Sequence, residues 1–161
     1  METEVIRSKR RTKTVDARVV DGVLRVAIPA SMSVTEERHW VQEMHARIVR
    51  STTSKGINLT ERARALADTL DLPHPKEIVF STRQRHRWGS CSPVEERIRI
   101  SDRVASFPPW VLDYVIVHEL AHLRVANHSP AFWQLVASYP LTERARGYLM
   151  AKEGEPSAPG T

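Results

Sequence analysis

The stretch that most constrains this chain is residues 111–133, VLDYVIVHELAHLRVANHSPAFW. His118-Glu119-Leu120-Ala121-His122 reads HExxH, and His128 follows six residues after the second histidine. On a helix, four residues advance about 400° and about 6 Å, so His118 and His122 lie on one face, one turn apart. Two imidazoles so placed can reach one zinc ion. Glu119 projects beside them, where a carboxylate can take a proton from a metal-bound water. The competing reading is an ordinary helix with polar residues on its surface. Against it, Val111, Leu112, Val115, Ile116, Val117, Leu120, Ala121 and Leu123 leave no broad solvent face. A charge at Glu119 in such a helix is costly unless something uses or neutralises it.

The rest of the chain narrows the chemistry. Cys91 is the one cysteine in 161 residues. No internal disulfide or thiolate-rich site can form, so the metal site must be histidine-based, and a reducing cytosol is the expected compartment. No run approaches 18 apolar residues, and METEVIRSKRRTK lacks the apolar core of a secretory signal. The expectation is a cytoplasmic protein with no membrane partner. Its 41% hydrophobic and 27% charged residues suit one globular domain over 1–152, with EGEPSAPGT (153–161) as a disordered tail. The net charge of +5 is open to two readings: solvated surface arginine, or contact with nucleic acid or an anionic substrate.

Residues 5–28 read as a β-hairpin about Asp21-Gly22, with a very basic first strand carrying Arg7, Lys9, Arg10, Arg11 and Lys13. A helical part spans 33–70. Ser33-x-x-Glu36 is a capping box for a helix to about Ser51 with Trp40, Val41, Met44 and Ile48 inward. Ser51 to Gly56 is a polar break, and Asn58 caps a helix over 59–70. A second β-hairpin covers 77–101: EIVFST, then an Arg-, Trp- and Ser-rich segment, a turn at 93–96, and a returning strand over 97–101. The catalytic helices fill 109–152. The first runs 109–125, with Pro109 at its first position. Asn127 and His128 leave it, so that His128 can fold back towards the metal. Ser129-Pro130 caps the next helix, to about Tyr139, and a last helix runs from Thr142 to about Lys152.

RWGSCS (87–92) together with YVIVHELAHLRVANHSPAFW (114–133) resembles the YgjP-like (DUF45) metallopeptidase-type domain. That domain is similar to the SprT and Wss1 metalloproteases, which share the HExxH-x5-H spacing. The likeness takes in the strand before RWGSCS and the PPWVLDYV entry to the helix, so it covers the second half of the chain. It implies an α+β, zincin-like fold, with helices on a small antiparallel sheet and the HExxH helix at the centre. It also implies zinc-dependent hydrolysis of peptide bonds.

On this reading His118, His122 and His128 hold Zn²⁺ and Glu119 is the catalytic base. Candidate substrate or oxyanion groups are Tyr114, one turn before His118, and on the strand side Arg87, Trp88 and Ser90, with the Trp88-Gly89-Ser90 backbone. Three alternatives stay open: hydrolysis of a phosphoanhydride such as a nucleotide, a DNA-associated role through basic patches including Arg83 and Arg85, and a closed structural zinc site. Cys91 is read as a small packing residue rather than a nucleophile.

Overall fold

The computed structural model describes residues 1–153. Where one body over 1–152 was expected, two compact units emerge: Met1–Val49, and a second beginning at Arg50.

The first unit carries β1 (Thr3–Ser8), β2 (Asp16–Val20) and β3 (Val23–Pro29), in the order β1-β3-β2. The β2–β3 hairpin turns at Asp21 and Gly22, both at positive φ (52° and 79°), a pairing whose twist matches that of the strands. β1 pairs with β3 in parallel. Residues 5–28 are therefore a three-stranded mixed sheet rather than a hairpin. Lys9, Arg10 and Lys13 lie in the β1–β2 connection, off the strands. Leu24, Val26 and Ile28 alternate on one face of the central strand and are fully buried. Val41, Met44 and Ile48 of α1 (Val34–Lys55) pack on them. The capping box closes both ways, Ser33 N to Glu36 Oε2 at 2.9 Å and Glu36 N to Ser33 Oγ at 3.2 Å. α1 runs on through the expected break, and the Ser54 hydroxyl bonds back to the Ser51 carbonyl at 3.1 Å.

The second unit begins with the last turn of α1 and then α2 (Leu59–Leu70), capped as expected by Asn58 Oδ1 on Glu61 N at 3.1 Å. Its sheet has β4 (Glu77–Ser81), β5 (Gly89–Ser92) and β6 (Arg97–Ser101) in the order β4-β6-β5. This corrects the second hairpin. β6 runs parallel to β4, and the strand antiparallel to β6 is β5, inside RWGSCS. The 82–88 segment is long enough to carry the chain past β4's neighbour, so β5 takes the far edge and the sheet is mixed. Ile98 and Ile100 of the central strand are fully buried.

A 3₁₀ turn over Asp102–Ser106, unsignalled in the sequence, leads to α3 (Pro109–His122). α3 contacts α2, β5, β6, α4 (Pro130–Val136) and α5 (Thr142–Glu153). Being covered on most sides explains its nearly continuous apolar sequence. It stops at His122, three residues before the expected end, and turns through Leu123–Val125, with Val125 N on Ala121 O at 2.9 Å. Glu153 is helical, correcting its place in the tail. The remainder of that expected tail, 154–161, lies outside the described residues. Among the described residues no helix is long and apolar enough to cross a membrane.

Candidate metal centre

α3 supplies His118, Glu119 and His122, and the turn after it supplies His128. His128 Nε2 lies 3.2 Å from Nε2 of His118 and 3.2 Å from Nε2 of His122. One ligand atom from each of the three falls within 4.8 Å of the others. Nitrogens held at about 2.0–2.1 Å around a tetrahedral ion sit about 3.3–3.4 Å apart, so the donor set fits a single metal. Protonation states fit as well. Burial, then the neighbouring imidazoles, pushes His118 down to about 3, so it is neutral with a free lone pair. His122 is also lowered, chiefly by burial. His122 Nδ1 is 3.1 Å from the Val125 carbonyl, which can only accept, so Nδ1 carries the proton and Nε2 is left to ligate.

Packing beneath the triad holds its shape. Phe132 is fully buried. Its ring stacks on His122 at 4.4 Å and meets His118 and His128 edge-on, each at 4.9 Å. Trp133 stacks on His128 at 5.8 Å. Both aromatics come from α4, which Ser129 caps through Phe132 N at 3.5 Å.

Glu119 is only 5% exposed. Burial pushes its carboxyl up to about 8, with the Arg87 charge opposing. A divalent ion beside it would favour the carboxylate. β5 lies hard against this side chain. A Cβ built on Gly89 would stand 2.7 Å from Glu119 Oε1, 2.9 Å from Cγ and 3.0 Å from Cδ. Any side chain at 89 would have to push Glu119 aside or move the strand.

The triad and Glu119 form the floor of a cleft of about 750 Å³, walled by residues 87–91 on one side and by Arg146, Leu149, Met150 and Glu153 of α5 on another. Arg87, Trp88, Ser90 and Tyr114 all line it, whereas Arg83 and Arg85 are exposed on the preceding loop and do not. Trp88 is a fixed wall: its Nε1 donates to Glu153 Oε1 at 3.0 Å and Arg103 lies over its ring at 4.3 Å. The Ser90 hydroxyl accepts from the Gln84 amide. Tyr114 is buried, and burial pushes its hydroxyl up to about 12, so it stays an O–H donor. Burial, reinforced by Glu119, likewise pushes Cys91 up to about 11, keeping it a thiol.

Two residues of the site went unread in the sequence, Arg103 and Arg146, and a third, Gly89, was read only for its backbone. Gly89 stood inside RWGSCS, but its contact with Glu119 depends on a strand pairing that the motif does not encode. Arg103 pins the loop, bonding to the carbonyls of Gln84 and Arg87 at 3.4 Å each. Arg146 sits in TERARG, which carries no signal at all.

The family model described as the YgjP-like, metallopeptidase domain matches residues 52–151. The chain belongs to the YgjP-like metallopeptidase family. The YgjP-like domain thus holds every residue of the cleft except Glu153, and it makes a divalent metal and a peptide or protein substrate the family's chemistry. Two crystal structures share the fold. The metallopeptidase zymogen abylysin of Pyrococcus abyssi is 22% identical, with TM-score 0.52, over 57% of this chain and 91% of its own. The metallopeptidase zymogen jannalysin of Methanocaldococcus jannaschii is 18% identical, with TM-score 0.52, over 60% and 98%. Both correspond to the mixed helices and small sheets described above. Comparison with curated protein sequences finds no match.

Proposed function

We propose that this YgjP-like protein is a zinc peptidase of zincin-like arrangement, in which His118, His122 and His128 hold the ion and Glu119 is the general base. The observation that carries the reading is the convergence of the three imidazoles on the floor of an open cleft with the Glu119 carboxylate beside them. Among the described residues the ligand cluster has three members, which suits an open catalytic site better than a closed structural one. Zinc supplies Lewis acidity and brings the pKa of a bound water towards neutrality. Glu119 takes the proton from the attacking water as its oxygen bonds to the carbonyl carbon, and returns it to the leaving nitrogen as the C–N bond breaks. The Tyr114 hydroxyl is a donor on the same helix face for the oxygen that becomes negative. β5 is an edge strand paired on one side to β6, and its Gly89, Ser90 and Cys91 line the cleft. An extended peptide can add to that free edge, its backbone bonding to the strand and its scissile amide lying over α3.

The test is reconstitution. The chain stripped by chelator should hydrolyse no peptide, and should regain hydrolysis of casein or short peptides at one zinc per chain. Nucleoside triphosphates assayed in parallel should not turn over. Hydrolysis of triphosphates without peptides would replace this reading with the phosphoanhydride one. Neither that reading nor DNA contact draws support from the family or the structural neighbours.

A further inference from the structure

The cleft holds two cations that the proposed mechanism does not use, Arg87 and Arg146. Resting on the peptidase reading, we infer that the cleft selects peptides carrying a carboxylate next to the scissile bond, and that Arg146 is the residue that binds it. The guanidinium of Arg146 lies over the Trp133 ring at 4.5 Å. That ring in turn stands 6.0 Å from His118 and is stacked on His128 at 5.8 Å. Arg146 is therefore one ring's breadth from the metal triad, about where a residue flanking the cleaved amide must lie. Arg146 lines the same cleft as His118 and Tyr114. A guanidinium lying on an aromatic ring keeps its N–H edge free for a planar, forked acceptor, and a carboxylate matches that fork.

The carboxylates already present do not fill this role. Glu143 bonds one nitrogen, Nη1, at 3.0 Å, but it is 82% exposed, and such a pair is weak in water. Glu153 accepts from Trp88 Nε1. Glu119 serves the water. Among the described residues no other carboxylate bonds Arg146, so its remaining N–H groups are left for a ligand. Arg87, which also lines the cleft, adds to the positive field that draws an anion into it. Leu149 and Met150 of α5 line the same space, so apolar residues fit beside the acidic one. Aspartate or glutamate side chains and a chain-terminal carboxylate offer Arg146 the same chemistry.

The test uses fluorogenic peptides that differ at one position beside the cleaved bond (Glu, Gln or Lys), each with a free and an amidated C-terminus. With the wild-type zinc form, kcat/KM should favour Glu over Gln by roughly tenfold, as a charge-assisted bond at a partly exposed guanidinium allows. Arg146→Gln should collapse the ratio to near one, Arg146→Glu should turn it towards Lys, and Arg146→Lys should retain part of it. An effect of the free C-terminus rather than of the side chain would identify the terminal carboxylate as the source. Binding of the Glu and Gln peptides to the metal-free protein, read from tryptophan fluorescence, should show the same order and the same loss in Arg146→Gln. Equal kcat/KM for Glu and Gln, or a preference that survives Arg146→Gln, would overturn the inference while leaving the peptidase reading intact. If no peptide is cleaved, the peptidase reading fails, and the binding order alone upholds or overturns the role of Arg146.

Discussion

Gly89→Ala is the substitution that most sharply separates catalysis from folding and metal binding here. The added methyl would stand 2.7 Å from Glu119 Oε1, 2.9 Å from Cγ and 3.0 Å from Cδ. Contacts of this kind settle at about 3.5–4.0 Å, so the Glu119 side chain, or β5, must retreat by roughly 0.5–1 Å. Glu119 is 5% exposed and lies on the cleft floor, so the displacement moves its carboxylate within the site itself. A misplacement of about 1 Å at a reacting group costs about 10²-fold in rate. Overpacking costs about 1–3 kcal/mol of stability, or roughly 2–4 °C of Tm for each kcal/mol in a chain of this size. The three atoms nearest the methyl all belong to Glu119 and none to a histidine, so zinc should remain at one per chain. The assay is kcat on a fluorogenic peptide, with zinc content and a melt on the same sample. A Gly89→Ala protein with unchanged kcat would refute the claim that β5 sets the position of Glu119. Loss of zinc in parallel with kcat would show that the damage spreads beyond it.

Other outcomes follow from the same geometry. His122→Ala should lose both zinc and turnover, since it removes one of three ligands; zinc content by elemental analysis decides it. Phe132→Ala removes the buried ring beneath all three imidazoles; it should cost about 3–5 kcal/mol in a denaturant melt and weaken zinc binding in a chelator competition. Cys91 is held as a thiol, its pKa pushed up to about 11 from 9.0. Iodoacetamide should therefore modify the metal-stripped protein at pH 8 about 10²-fold more slowly than free cysteine. Because the folded pKa is the higher one, its contribution to stability is complete below pH 9 and is lost as pH rises towards 11; alkylation as fast as in an unfolded control would contradict the half-buried placement.

Local signals in the sequence translated directly into structure. The Ser33–Glu36 box, the Asn58 cap, the Asp21-Gly22 turn and the Ser129-Pro130 start each rest on contacts within a few residues, and each forms as read. So does the placing of His118 and His122 on one helix with His128 beyond its end. What was not legible depended on pairing at a distance. Nothing in EIVFST or RIRIS states whether the two strands run parallel, and the parallel pairing of β4 with β6 is what moves RWGSCS to the sheet edge beside Glu119. The same holds for β1 and β3. α1 outran its expected end because serine and threonine can bond to their own helix as readily as they can break it. The cleft's outer wall, with Arg146 and the Glu153–Trp88 contact, comes from how α5 folds back, which no motif records.

The most direct test of the mechanism compares wild type with Glu119→Gln, both assayed for zinc and for peptide hydrolysis under one set of conditions. The amide keeps the shape of the side chain and removes the base. The prediction is equal zinc, one per chain, with turnover lower by about 10²–10⁴-fold. Equal zinc with undiminished hydrolysis would contradict the assignment of Glu119 as the base and, with it, the chemistry assigned to this cleft.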